Sequence, residues 1–237
     1  MAKPKWHTRW KVLPHGPLRT LEDNLKVADA PLPGMPLERR MTIVRLADGR
    51  LGVHNAIALD DASMAALEAW GEVAFLVVPN SFHRIDAFAF KQRYPAVKVI
   101  AGPMARPKVE LAVPVDGGPE LIPAGLGLTG EILDGVKIGE MAFVVDHGAK
   151  KTLILNDALF NQPHLPGFQG FMLRLVGSTG PLKVTRIMKM LGVKDKQAFY
   201  AHLLRLADTP GLGRLIVSHG HILEGDVGAR MREALGS

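Results

Sequence analysis

Residues 73–94, VAFLVVPNSFHRIDAFAFKQRY, constrain the fold more than any other stretch of this chain. Val73–Val78 is apolar, rich in valine and free of charge. Such a run buries all its side chains as a strand covered on both faces. Pro79 stops it, because proline has no amide N–H to give to a neighbouring strand. The polar loop Asn80-Ser81-Phe82-His83-Arg84 follows, and an amphipathic helix is predicted from Ile85, with Ile85, Phe88 and Phe90 toward a core and Lys91 and Arg93 toward water. In α/β proteins, chemistry gathers where a buried strand runs through a polar loop into a helix. The loop has no glycine-rich phosphate cradle and no nucleophile elbow. It offers Asn80, His83 and Asp86.

The chain has 237 residues, enough for one large domain or two small ones, and 47% of them are hydrophobic, which is ample for a core. There are no cysteines, so disulfides, thiol nucleophiles and cysteine-ligated zinc are excluded. No apolar run approaches the roughly 20 residues of a membrane helix, and the basic start MAKPKWHTRWKV lacks the apolar stretch of a signal peptide. A soluble, cytoplasmic protein is expected, with no membrane partner. The net charge of +6 allows anionic partners. Its clusters, Lys3 to Lys11, Lys150-Lys151 and Lys183 to Lys196, read as solvated surface. Few aromatic residues accompany the last two, so nucleic acid is not expected as a partner.

Residues 1–40 are rich in proline, including Pro14, Pro17, Pro31, Pro33 and Pro36, and are predicted to be an irregular arm. Residues 41–237 are predicted to form a single domain. Thr42–Leu46, Asp48-Gly49 and Leu51–Ile57 make a hairpin, and Asp60-Asp61 caps a helix from Ala62 to Trp70 that Gly71 ends. Val97–Ala101, Glu140–Val145, Thr152–Asn156 and Leu215–Val217 are further strands. Pro107–Leu133 reads as short strands and loops, and Asn161–Pro181 as a surface excursion. Helices follow over Val184–Leu191, with Val184, Ile187, Met188 and Leu191 on one face, then over Lys196–Ala207 and Val227–Leu235. This order suits an α/β layered fold, two sheets sandwiched by helices.

Three polar features follow strand ends independently: the Asn80–His83 loop, Asp157 after TLILN, and His219 after LIVS. Residues just past strand ends share one crevice, so His83, Asp157 and His219 are expected within roughly 10 Å of one another. His54, after Leu51-Gly52-Val53, is a candidate for the crevice mouth. His147 precedes a hairpin turn and should lie about 20 Å from Asp157. His221 reads as structural, and His164 and His202 as loop and helix-surface residues.

These landmarks carry a resemblance. The chain resembles the metallo-β-lactamase superfamily, in which a comparable strand ends in a loop of pattern H-x-H-x-D-H. Here the loop reads PNSFHRID, with Asn80 at the first histidine position and Phe82, Arg84 and Ile85 at other ligand positions. It is more similar to a related family of unknown function, whose landmarks look like RMTVVRLSDG, PN-x-x-HH, TLI-x-x-D and AHG. The matching residues here are Arg40–Leu46 with Asp48-Gly49, Pro79-Asn80 with His83 and Arg84, Thr152-Leu153-Ile154 with Asp157, and Ser218-His219-Gly220.

The resemblance implies an αββα sandwich of the metallo-β-lactamase type, with Asp157 at the metal-bridging aspartate position and His219 at the last histidine. A shifted His83 completes a minimal ligand set of His83, Asp157 and His219, with Asn80, Arg84 and His54 as ligand-binding neighbours. Arg84 is expected to pair with Asp157. The implied cofactor is none or one divalent ion, zinc first, and no binuclear site. Two functions stay open. One is a non-catalytic protein that keeps the fold and binds a small-molecule ligand or a protein partner. The other is a hydrolase using a single metal, or His and Asp acid–base chemistry, on a small ester or anionic substrate.

Overall fold

The computed structural model describes residues 6–236. The basic cluster expected from Lys3 lies partly outside them. Two sheets stack face to face, with helices on both outer sides. The first sheet runs in the order β1 (Arg19–Glu22), β2 (Leu25–Pro31), β3 (Glu38–Arg45), β4 (Leu51–His54), β5 (Val73–Val77), β6 (Lys98–Ile100). β1 to β4 are antiparallel neighbours, and β4, β5 and β6 are parallel. The second sheet runs β11 (Leu223–Glu224), β10 (Leu212–Ile216), β9 (Lys151–Ile154), β8 (Met141–Asp146), β7 (Leu128–Ile132), with only β9 and β10 parallel.

Period-2 alternation builds the layers. In β5, Phe75 and Val77 point between the sheets while Leu76 joins the outer core, and Val73 joins it too because the register slips at the start of the strand. In β8, Met141, Phe143 and Val145 fill the same inter-sheet core, and Ala142 faces the other outer side. One outer core packs under α1 (Asp61–Trp70) and α2 (Ala87–Arg93) through Met64, Leu67 and Phe90; the other packs under α5 (Lys196–Ala207) and α6 (Val227–Leu235) through Phe199, Leu203 and Met231. This is the expected αββα layering. Asp60 caps α1 as predicted, its carboxylate accepting the Ser63 N–H at 2.7 Å.

Three expectations need correction. Residues 1–40 are not an irregular arm throughout: 19–31 form β1 and β2, and β2 pairs with β3 from Leu25↔Val44 to Pro31↔Glu38. Pro14 and Pro17 sit before β1, Pro31 ends β2, and Pro33 and Pro36 sit in the β2–β3 turn, so they punctuate the strands without interrupting them. The excursion 161–181 contains a helix, Gly167–Leu175, called α4 here because α3 is the short Arg106–Val109. The helix expected over Val184–Leu191 ends in a π-helical turn, Met188–Gly192, and Ile187 and Leu191 face water while Val184 and Met188 are buried.

Candidate metal centre

The loop after β5 is fixed by its own side chains. Asn80 Oδ1 accepts the Phe82 N–H at 2.9 Å, a local turn that asparagine favours. The amide and hydroxyl of Ser81 both donate to the Ile138 carbonyl at 3.0 Å, which moors the loop to the stretch leading into β8. Asn80 is fully buried, and its Nδ2 donates to Asp157 Oδ2 at 2.8 Å and Glu140 Oε2 at 3.3 Å. These bonds hold His83 over the strand ends of the second sheet.

His83, Asp157 and His219 converge, with their donor atoms all within 4.8 Å of one another. His83 Nε2 lies 3.2 Å from both Asp157 carboxylate oxygens, and His219 Nε2 lies 3.3 Å from Oδ1. The His83 and His219 rings are 5.4 Å apart. Phe160 covers His219, centroid to centroid 4.6 Å.

The far side of each ring fixes its tautomer. His219 Nδ1 is 2.6 Å from the Glu38 carbonyl, which can only accept, so Nδ1 carries a proton. His83 Nδ1 is 3.2 Å from Asn55 Oδ1. Asn55 Nδ2 donates to the Arg40 carbonyl at 2.8 Å, which turns its oxygen toward His83. Asn55 holds a left-handed backbone (φ 58°), a conformation asparagine tolerates. With Nδ1 bonded on the far side, each ring turns Nε2 toward the carboxylate, and a proton or a metal cation must lie between each Nε2 and Asp157.

Burial alone would raise the Asp157 carboxyl. The charge of His83 and hydrogen bonds from both rings outweigh it and hold that carboxyl well below the usual range. Beneath it, Glu140 is fully buried and takes the backbone N–H groups of Asn156, Asp157 and Ala158 at 2.9, 3.0 and 2.8 Å. Burial and the neighbouring Asp157 push Glu140 up to about 8, against the pull of those three amides.

Two donors each about 2.0–2.1 Å from a tetrahedral zinc stand about 3.3–3.4 Å apart. Two of the three donor separations, 3.2 and 3.3 Å, match that spacing, all three donors lie within 4.8 Å of one another, and the donor types suit zinc, so the residues could hold one divalent cation. No further histidine or carboxylate joins them among the described residues.

The other expected site residues lie elsewhere. Arg84 does not pair with Asp157. Its guanidinium turns back to the Ser81 carbonyl and stands 5.9 Å from the Trp6 ring, while His83, His219 and Asn80 occupy the carboxylate. His54 is buried beneath the site against Phe143, centroids 5.8 Å apart, and burial, with the His83 charge adding, drives its imidazole down to about 3. It does not stand at the crevice mouth. Asp86 is buried between His7 and Arg39, each at 2.6 Å, and anchors the N-terminal segment. His147 is structural, bonded to Asn24 and Thr152. His202 is buried and bonded to Asp134 at 2.9 Å, not exposed on its helix.

Above these three side chains opens a crevice of about 280 Å³, walled by Met35, Phe82, Ile138, Phe160, Ile187 and Leu191 among others. A larger depression of about 560 Å³ lies at the opposite strand ends, among the turns at Asp23, Asp48 and Asp146. Its lining contains no histidine.

No protein-family model matches the chain, and no curated protein matches it by sequence. Solved structures do. The DIM-1 metallo-β-lactamase exposed to ceftazidime superposes with a TM-score of 0.63 over 95% of this chain and 98% of its own, at 10% identity. A metallo-β-lactamase from Erythrobacter litoralis, with β-mercaptoethanol in its active site, gives 0.61 over 92% and 95% at 11% identity, and one from Hirschia baltica gives 0.59 over 93% and 98% at 11%. The chain has the metallo-β-lactamase fold. At such identities the likeness carries the architecture, and the reading of the site rests on its own atoms.

Two participants were missed from sequence. Glu140 stands before an apolar strand, and a charged residue leading MAFVV is the one local signal. Asn55 follows His54 with nothing in the sequence to mark its backbone or its bond to His83.

Proposed function

We propose that this protein is a hydrolase-like enzyme holding one divalent cation, zinc first, on His83, Asp157 and His219, with a small, largely apolar ester as substrate class. One observation carries the reading: two oriented Nε2 atoms and a carboxylate converge at 3.2–3.3 Å beneath an apolar crevice. A divalent cation in such a setting polarises a carbonyl oxygen and makes water acidic enough to attack at neutral pH. The chain's own residues supply the rest. Asn55 and the Glu38 carbonyl keep both imidazoles facing inward. Asn80 holds Asp157 Oδ2. Phe82, Ile187 and Leu191 line the crevice and offer apolar surface to the apolar part of the substrate.

A second reading is a metal-free ligand-binding protein in which a proton joins each histidine to Asp157. Phe82, Arg84 and Ile85, none of them good metal donors in these positions, favour it. Metal analysis of protein purified without chelator, before and after dialysis, separates the two, with esterase assays on short-chain nitrophenyl esters alongside. The expected result is about one ion per chain, lost in Asp157→Ala together with turnover. No bound ion would give precedence to the ligand-binding reading. About two zinc ions per chain surviving dialysis would establish a two-metal centre instead.

A further inference from the structure

Eight of the fourteen large apolar side chains exposed among the described residues fall between positions 168 and 191. Seven of them form two stripes. On α4, Phe168, Phe171, Met172 and Leu175 recur at i, i+3, i+4 and i+7, the spacing of one helix face, yet that face is turned to water. The other side of α4 is pressed inward: Leu173 is buried, and a Cβ at Gly170 would collide with the Leu165 carbonyl. Ile187, Met190 and Leu191 make the second stripe, also exposed. Arg186 joins the two segments by donating to the Leu175 carbonyl at 3.0 Å.

The charge of this region is one-sided. Residues 158–194 contain five basic residues, Arg174, Lys183, Arg186, Lys189 and Lys194, and no acidic one. Burial, and then the nearby charges of Arg186 and Lys189, lower the Lys183 ammonium, so these three cations crowd together.

We propose that this face, α4 and the 186–191 segment, rests on an anionic lipid surface. Apolar side chains set among cations match the two attractions of such a surface: burial of about 5–10 Å into the headgroup boundary and Coulomb attraction to acidic lipids. A second copy is the poorer occupant, because a two-fold contact sets the same cations against one another. Nucleic acid gains little from Met172, Leu175, Ile187, Met190 and Leu191. None of the described helices is long and apolar enough to cross a membrane, so the face lies on the surface. Ile187 and Leu191 belong to both this face and the crevice wall, so the crevice opens beside the lipid. An apolar ester dissolved in the bilayer then reaches His83, Asp157 and His219 directly. That last step rests on the hydrolytic reading, whereas the docking does not.

The test is flotation of the full chain with vesicles of phosphatidylcholine alone and of phosphatidylcholine with phosphatidylglycerol. Binding is expected to the phosphatidylglycerol vesicles, weakening as salt screens the cations. Lys189→Gln should lose about fivefold in affinity, as expected for one cation at about 1 kcal/mol. Phe168→Ser with Phe171→Ser should lose tenfold or more while circular dichroism and melting stay unchanged. Failure to bind phosphatidylglycerol vesicles, or undiminished binding by the double variant, would overturn the proposal. So would a wild-type dimer in sedimentation that the double variant turns into monomer, since a second copy would then cover the face. None of these readouts depends on metal content or turnover.

Discussion

His219 donates its Nδ1 proton to the carbonyl of Glu38, 2.6 Å away. Glu38 opens β3 in the first sheet, and His219 follows β10 in the second. This bond joins the sheets and aims Nε2 at Asp157. Because the acceptor is backbone, no side-chain change at Glu38 removes it directly.

The orientation of His83 depends on a side chain and can be removed. In Asn55→Gly the left-handed backbone remains comfortable, but Nδ1 of His83 loses its acceptor. Zinc affinity, measured by chelator competition, should fall about 10–100-fold, the usual cost of losing a residue that orients a metal-binding histidine. Unchanged affinity would mean that the ring needs no such support.

Arg84 provides the converse case. It contacts the Ser81 carbonyl and leaves Asp157 alone. Arg84→Met should therefore keep the ion content of the natural protein, with a melting temperature lowered by the lost loop contact. A marked change in ion content would show that the guanidinium acts on Asp157 after all.

Glu140 sets a pH dependence. Its carboxyl rises from an ordinary 4.5 to about 8 on folding, so the folded state binds the proton more tightly than the unfolded state. Its contribution to stability is complete below about 4.5 and is lost as pH climbs through 8. Asp157 has the opposite sign: its lowered carboxyl contributes above the usual range and loses that contribution in acid. Urea midpoints of Glu140→Gln between these limits should vary less with pH than those of the natural chain. An unaltered slope would remove Glu140 as its source.

Phe143 tests the inter-sheet core. It is 1% exposed and packs with Phe75 and Val77 from the facing sheet. Phe143→Ala should cost about 3–5 kcal/mol in urea denaturation. A cost under about 1 kcal/mol would mean that the sheets close over the gap.

Much of this molecule was legible in its sequence for simple reasons. Val73–Val78, Thr152–Asn156 and Leu215–Val217 are charge-free runs that read as strands, and the polar residues just past each were expected to share one crevice. That is how His83, Asp157 and His219 were found. Glu140 was not legible because the amides it gathers come from residues 16 to 18 positions later. β1 and β2 were hidden by prolines that flank them or, as Pro31 does, end a strand. α4 was hidden because its glycines and flanking prolines read as loop, and its apolar stripe faces outward. Arg84 was misjudged because opposite charges suggest a pair, while three other side chains already occupy Asp157.

His83 belongs to a loop of one sheet, and Asp157 and His219 to the ends of two strands of the other. The three-donor pocket therefore exists only while the two halves of the sandwich are in register. An ion there would act as a rivet through the seam: removing it leaves each half intact but loosens the joint between them. Chelation should then speed hydrogen exchange first at the amides flanking the seam, Ser81 and Leu155 among them, well before the helices on the outer faces respond.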